Sequence, residues 1–309
     1  KRIFSGRVTM PLLALLCILL WSSAVPMVKL GYAAFGIGEN ASVFTKLLFA
    51  GTRFTLAGAL VLAVGSAAQK KPLLFTRAEA GRVLLFGLFQ TFLEYLFYYI
   101  GISHATGTMT AIITSMPAFV VVLAAPLFFS GDHLGTGPLL GVAAGFAGIV
   151  LASAGSGLRF TLTGEGFLLI STLASATSSM LSRKYSQQIS PVLLSGWGLF
   201  LGGGALTVIA LAGGGRFSQV SPRALLILCY LFSLSAAAFS VWAALLKYNP
   251  AGKVCIFNSL SPLFGALLSA LMLGENAFTP RILLALALVC TGVYLVNREH
   301  RPAAEEAPR

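Results

Sequence analysis

Arg53 and Glu94 stand inside otherwise apolar stretches, near the middle of the runs 42–66 and 82–103. A charge at the centre of a membrane-crossing helix costs about 2.5–3.5 kcal/mol to insert, so it is a functional candidate by default. A guanidinium can hold an anion, and a carboxyl can hold an amine or carry a proton. Polar residues recur beside them at helical spacing. Gln90, Glu94 and Tyr98 fall four apart, as do Thr106, Thr110 and Thr114, while Ser171, Ser175, Ser178 and Ser182 make a third row. Each row occupies one face of a helix. Trp21, Tyr95, Tyr98, Trp242 and Phe257 offer flat rings for stacking on a planar ligand. Asn258 lies about one turn before Pro262. A proline has no N–H to give the preceding turn, so Asn258 and a freed carbonyl share one region.

The candidate binding site is therefore Trp21, Arg53, Glu94, Tyr98, Thr114, Ser178, Trp242 and Asn258. Cation, acid, hydroxyl and aromatic groups together suit a small amphipathic or zwitterionic metabolite. Glu94 is also the candidate proton carrier, because an anion competing for Arg53 would release it to take a proton. Plainer readings stand beside each of these. Arg53 and Glu94 can form a fixed ion pair that locks two helices. Lys29 and Lys46 can snorkel to the membrane interface. The aromatic rings also serve as packing and interfacial anchors, and small hydroxyl residues also serve helix contact.

These residues must be positioned by helices. The chain has 309 residues, is 57% hydrophobic and is only 10% charged, which makes it a membrane protein. The net charge of +12 comes from basic residues scattered between apolar runs. That distribution excludes a nucleic-acid surface and reads as topology signal. The spans fall near 10–32, 42–66, 82–103, 106–129, 137–154, 164–183, 191–212, 224–246, 252–273 and 282–296. The first follows Lys1, Arg2 and Arg7 but is too long for a signal peptide, so it reads as an uncleaved helix. Gly137, Gly141 and Gly145 let a neighbouring helix approach closely. Cys17, Cys229, Cys255 and Cys290 all lie in apolar segments and read as buried free thiols. The histidines are far apart, so neither a metal nor a cofactor is expected.

The stretch from Gly107 to Pro117 and Phe119 recurs as Gly252 to Pro262 and Phe264, an offset close to half the chain. The fold class is thus all-α integral membrane, with ten transmembrane helices in two five-helix repeats, 1–155 and 156–309. An odd number of spans per half inverts the second repeat. With the N-terminus in the cytoplasm, Lys70, Lys71, Arg77, Arg82, Arg183, Lys184, Lys247 and Lys253 are all inside, against Arg159, Arg216, Arg223 and Arg281 outside. That bias places both termini in the cytoplasm. Paired helices broken by proline in two half-chains point to the binding site of a secondary transporter.

The pattern resembles the drug/metabolite transporter superfamily, in particular its EamA-type ten-helix members. The residues that carry the resemblance are Leu20-Trp21-Ser22-Ser23 with Lys29, then Arg53, Tyr98-Tyr99, and the two Gly-to-Pro stretches. Gly274-Glu275 after the ninth span fits as well, whereas Gly131-Asp132 carries a shorter acid than expected. The resemblance covers nearly the whole chain. It implies inverted repeats, a central cavity lined by the first four helices of each half, and alternating access. It leaves the substrate open, because related proteins move amino acids, sugar phosphates, nucleotide sugars and drugs. The expected setting is the plasma (inner) membrane, with a small-molecule substrate, protons as candidate coupling ion, no nucleic acid, and a monomer or homodimer. No G-x-x-x-x-G-K-[ST] motif is present for ATP. An intramembrane enzyme would need a nucleophile–base pair or paired acids at depth, and Glu94 is a single mid-span acid, so no enzymatic activity is expected. The remaining readings are an uncoupled facilitator or exchanger and a non-transporting assembly subunit.

Overall fold

The computed structural model describes residues 2–38, 40–105, 107–129, 134–152, 161–273 and 280–299. The described residues are helical, without strands. Following a single turn at Arg2–Ser5, the helices are α1 (Thr9–Ala34), α2 (Val43–Gln69), α3 (Arg77–Gly101), α4 (Gly107–Phe128), α5 (Thr136–Ala152), α6 (162–185), α7 (Pro191–Ala212), α8 (Pro222–Tyr248), α9 (251–273) and α10 (Pro280–Glu299). α1, α2, α3, α7 and α8 are long and apolar enough to cross a membrane, and shorter apolar helices cover 113–128, 136–151 and 283–298. The Asp132 and Glu275 turns, Gly155, Gly157 and the tail from His300 lie outside the described residues.

Local chemistry sets the helix boundaries. The Ser42 hydroxyl accepts from the Phe44 amide to open α2, which ends at Lys70 with a left-handed φ of 52°. Thr76 and Glu79 form a reciprocal capping box at the start of α3. At the start of α6 the buried Glu165 carboxylate accepts from the amide and hydroxyl of Thr161, at 2.7 and 2.8 Å. Ser221 caps α8 ahead of Pro222. α3 contains a π-helical turn at Leu88–Leu93, and α9 a 3₁₀ turn at Ile256–Leu260.

The tightest partners are α2 with α7 and α5 with α10. Glycine makes both approaches possible. A Cβ at Gly58 would lie 2.3 Å from the Phe200 amide nitrogen, and one at Gly292 would lie 2.5 Å from the Gly141 carbonyl oxygen. α1 packs on α8 and α9, α6 on α3 and α4, α2 on α8, α3 on α7, and α4 on α9. Exchanging each helix for the one five places along leaves this set of pairs unchanged. The outer surface is apolar, with Leu127, Leu226 and Leu271 largely exposed.

Two expectations need correction here. Pro117 does not break its helix, since α4 runs unbroken through it. The Ile113 carbonyl, which a residue with an N–H at 117 would have satisfied, instead accepts from the Thr172 hydroxyl of α6 at 2.9 Å. In the second copy the backbone tightens ahead of Pro262, and the Ser261 amide donates to the Asn258 carbonyl within the 3₁₀ turn. The four cysteines are free, but only Cys17 and Cys255 are buried. Cys229 and Cys290 sit on the apolar outer surface, where a thiol behaves as a small hydrophobe.

Candidate substrate cavity

One cavity of about 670 Å³ lies between the two halves of the chain. It is lined from α1, α2, α3 and α4 and from α6, α8 and α9, with α7 absent from the lining. The physical reason is that α7 is spent on its close approach to α2 and α3, through Gly196, Gly198, Gly202 and Gly203.

The lining has two chemically different walls. One is aromatic and continuous across both halves. Trp242 meets Trp21 at 5.1 Å between ring centroids, Trp21 meets Phe239 at 5.2 Å, and Phe54 meets Phe239 at 6.3 Å. Phe54, fully buried behind the lining, also meets Tyr95 at 4.2 Å, and Tyr95 meets Tyr98 at 6.3 Å. Most of these pairs are edge-to-face, which suits ring quadrupoles and fixes each ring. The other wall is hydroxylic, built from Thr110 and Thr114 of α4 and Ser171, Ser175, Ser178, Ser179 and Ser182 of α6. Several of these hydroxyls are already turned to carbonyls. Thr114 donates to Thr110, Ser178 to Ser175, and Ser171 to the main-chain oxygen of Glu94.

Arg53 and Glu94 have different neighbours. Arg53 is only 5% exposed, and its Nε donates to the Ser235 hydroxyl at 3.2 Å. Its guanidinium carbon lies 4.5 Å from the centroid of the Phe54 ring. Glu94 belongs to the hydroxylic side, where the Ser175 hydroxyl is its hydrogen-bond partner. Among the described residues no ion pair joins Arg53 to Glu94, so the plainer reading of the two as a fixed ion pair does not hold. A place near the middle of each helix does not bring the two side chains together. Phe54 and Tyr95 pack between their helices, and Ser235 of α8 draws the guanidinium away.

Two family-model matches cover residues 8–154 and 162–298, both to the EamA-like transporter family. This chain belongs to that family. Among relatives, it is 28% identical over 206 residues to a WAT1-related chloroplastic protein of Arabidopsis thaliana, covering 62% of this chain and 48% of that protein. The chain thus spans about half the length of the plant relative. It is 24% identical over 273 residues to the uncharacterized transporter YetK of Bacillus subtilis, covering 84% and 82% of the two chains. A solved crystal structure with 19% identity superposes with a TM-score of 0.77 over 94% of this chain and 96% of that one, which speaks for a shared fold.

In this EamA-like transporter the cavity gathers every candidate site residue: Trp21, Arg53, Glu94, Tyr98, Thr114, Ser178, Trp242 and Asn258. The whole serine row of α6 lines it, as do Gln90, Glu94 and Tyr98 of α3. Phe257 does not, being buried in the packing core beside Trp242 and Leu260. Lys29 lines the cavity as well, although its sequence position also fitted an interfacial lysine. Sequence reasoning passed over Tyr32, Tyr99 and Phe239. A Tyr98-Tyr99 pair gives no local sign that both rings meet the same space. Both lie in the regular α-helical stretch Glu94–Gly101 beyond the π turn, about 100° apart around the helix, so the cavity meets a broad face of α3 there. Gln90 Oε1, Trp21 Nε1 and Ser182 Oγ are buried without a protein hydrogen-bond partner. Unsatisfied buried polar groups are rare, and here they concentrate on the cavity lining.

Proposed function

We propose that this EamA-like transporter is a secondary active carrier that moves a small amphipathic or zwitterionic metabolite by alternating access. The observation that carries this reading is the mixed cavity, whose lining joins aromatic rings and Arg53 with a row of hydroxyls and Glu94. Each set alone would suit packing. Together, with polar atoms left unpaired between them, they suit an amphipathic ligand held from both halves. A volume of about 670 Å³ is that of a metabolite-sized site, since ligand pockets run from about 300 to 1,000 Å³.

The same proposal places ten membrane-crossing helices in two inverted repeats, 1–155 and 156–309, in the plasma (inner) membrane, with both termini in the cytoplasm. Its supports are the helix pairs unchanged on exchange of the halves and the basic bias of the loops. α6 is the least apolar of these helices because its serine face turns to the cavity, and α9 is interrupted by its 3₁₀ turn. Neither feature prevents crossing, since polar or irregular helix is tolerated where it lines a cavity.

Topology gives a direct test. In a background lacking Cys17, Cys229, Cys255 and Cys290, Lys71→Cys and Ser218→Cys place thiols in two exposed loops. A membrane-impermeant maleimide is expected to label Ser218→Cys in right-side-out vesicles and Lys71→Cys only in inside-out vesicles. Labelling of both from the same side would end the ten-crossing arrangement.

A further inference from the structure

We propose that the Arg53 end of this cavity is a subsite for the carboxylate of a singly charged organic acid, distinct from the Glu94 end. This deepens the transport reading and rests on it for the cavity being a substrate site.

Arg53 is the most buried charged side chain on the lining, and its Nε is fixed by Ser235. With the guanidinium plane held in this way and its face over Phe54, the edge carrying the two Nη groups remains. No acidic side chain among the described residues takes that edge. A buried cation without an anion is expensive, by several kcal/mol per ion, so the site is incomplete without a ligand charge. Two parallel N–H groups match the two oxygens of a carboxylate. The phenols of Tyr32, Tyr95 and Tyr98 lie within electrostatic reach of the same guanidinium and line the same cavity. Their hydroxyls are further donors for an oxyanion.

The charge of the site selects within anions. One guanidinium balances one negative charge. Lys29, the other cation on the lining, has an interaction of its own within the protein. A phosphate dianion would bring its second charge into a cavity whose own acid is Glu94. Tyr95, Tyr98, Phe239 and Trp21 line the cavity together with Arg53, so the group next to the carboxylate is flat and apolar.

The test uses the full chain in lipid nanodiscs at pH 7 and four probes with one ring and different head groups: phenylacetate, phenylacetamide, phenyl phosphate and phenethylamine. Binding is read by the rise in melting temperature and by quenching of tryptophan fluorescence. Trp21 and Trp242 line the cavity, while Trp197 is bonded to the Leu73 carbonyl elsewhere. Phenylacetate is expected to bind at least about tenfold more tightly than each of the other probes, where tenfold corresponds to about 1.4 kcal/mol. Arg53→Gln is expected to remove that preference. Phenylacetamide binding as well as phenylacetate, phenyl phosphate binding more tightly, or no probe binding at all would overturn the subsite. The comparison of probes on the wild type stands even where Arg53→Gln fails to fold. Because no flux is measured, phenylacetate that binds without being moved across proteoliposomes counts against the transport reading and leaves the subsite intact.

Discussion

Glu94→Gln is expected to abolish the response of transport to an imposed pH gradient while leaving the protein folded. Glu94 lines the cavity, its hydrogen-bond partner is the Ser175 hydroxyl, and among the described residues no guanidinium pairs with it. A carboxylate so placed must take either a proton or a substrate cation when the cavity changes sides, because moving it bare through a low-dielectric passage is costly. Glutamine keeps the shape and the hydrogen bond but cannot titrate. One proton per substrate would sustain about tenfold accumulation per pH unit, since one unit is worth about 1.36 kcal/mol. Gradient-driven uptake into proteoliposomes should therefore fall by about that factor in the variant, to the level seen without a gradient. A monodisperse variant that follows the gradient as the wild type does would remove Glu94 from coupling. A wild type that ignores the gradient would make the protein a facilitator or exchanger, with Glu94 at most a substrate contact. The absence of an Arg53–Glu94 pair also changes the mechanism, since a substrate anion has no ion pair to break. Coupling then rests on Glu94 and its serine neighbours.

Gly58→Leu is expected to be the most destabilising single change in the helix framework. The missing side chain lets α2 lie against the backbone of α7, and the nearest atoms to a Cβ there are backbone: Phe200 N at 2.3 Å and Gly196 O at 2.6 Å. Backbone cannot rotate aside, so the two helices must separate along their most extensive contact. Overpacking of a core typically costs about 1–3 kcal/mol, and this site lies at or beyond the upper end of that range. Gly204→Leu is the matched control, because nothing lies within 4 Å of a Cβ at Gly204. Size-exclusion profiles and melting temperatures of the two variants in one detergent should differ sharply, with Gly58→Leu aggregated or melting many degrees lower. Equal behaviour would show that α2 and α7 are not packed as described.

The sequence displayed the helices because lipid demands long apolar runs, and Arg53 and Glu94 because charge at depth is rare. The serine row of α6 was legible because steps of three and four residues keep one helix face. What stayed hidden depends on contacts between distant helices. Nothing near Pro117 says that Thr172 will satisfy the carbonyl it frees, so the proline read as a break. Nothing near Arg53 points to Ser235, which is why a pair with Glu94 looked available. Tyr98 and Tyr99 point about 100° apart around α3, and nothing near them says that the cavity is broad enough to meet both. Cys229 and Cys290 looked buried because apolar surroundings in a sequence do not distinguish the protein core from the lipid-facing surface.

The central claim is that one cavity opens in turn to each side of the membrane. Ser178→Cys tests it most directly, since Ser178 lines the cavity from the second half and its hydroxyl bonds only within its own helix. In the background lacking native cysteines, a membrane-impermeant methanethiosulfonate is applied to right-side-out and to inside-out vesicles. Alternating access predicts that the thiol reacts from both sides, at rates that shift in opposite directions when a transported ligand is supplied on one side. Reaction from one side alone under every condition would mean a fixed pocket and would contradict the account.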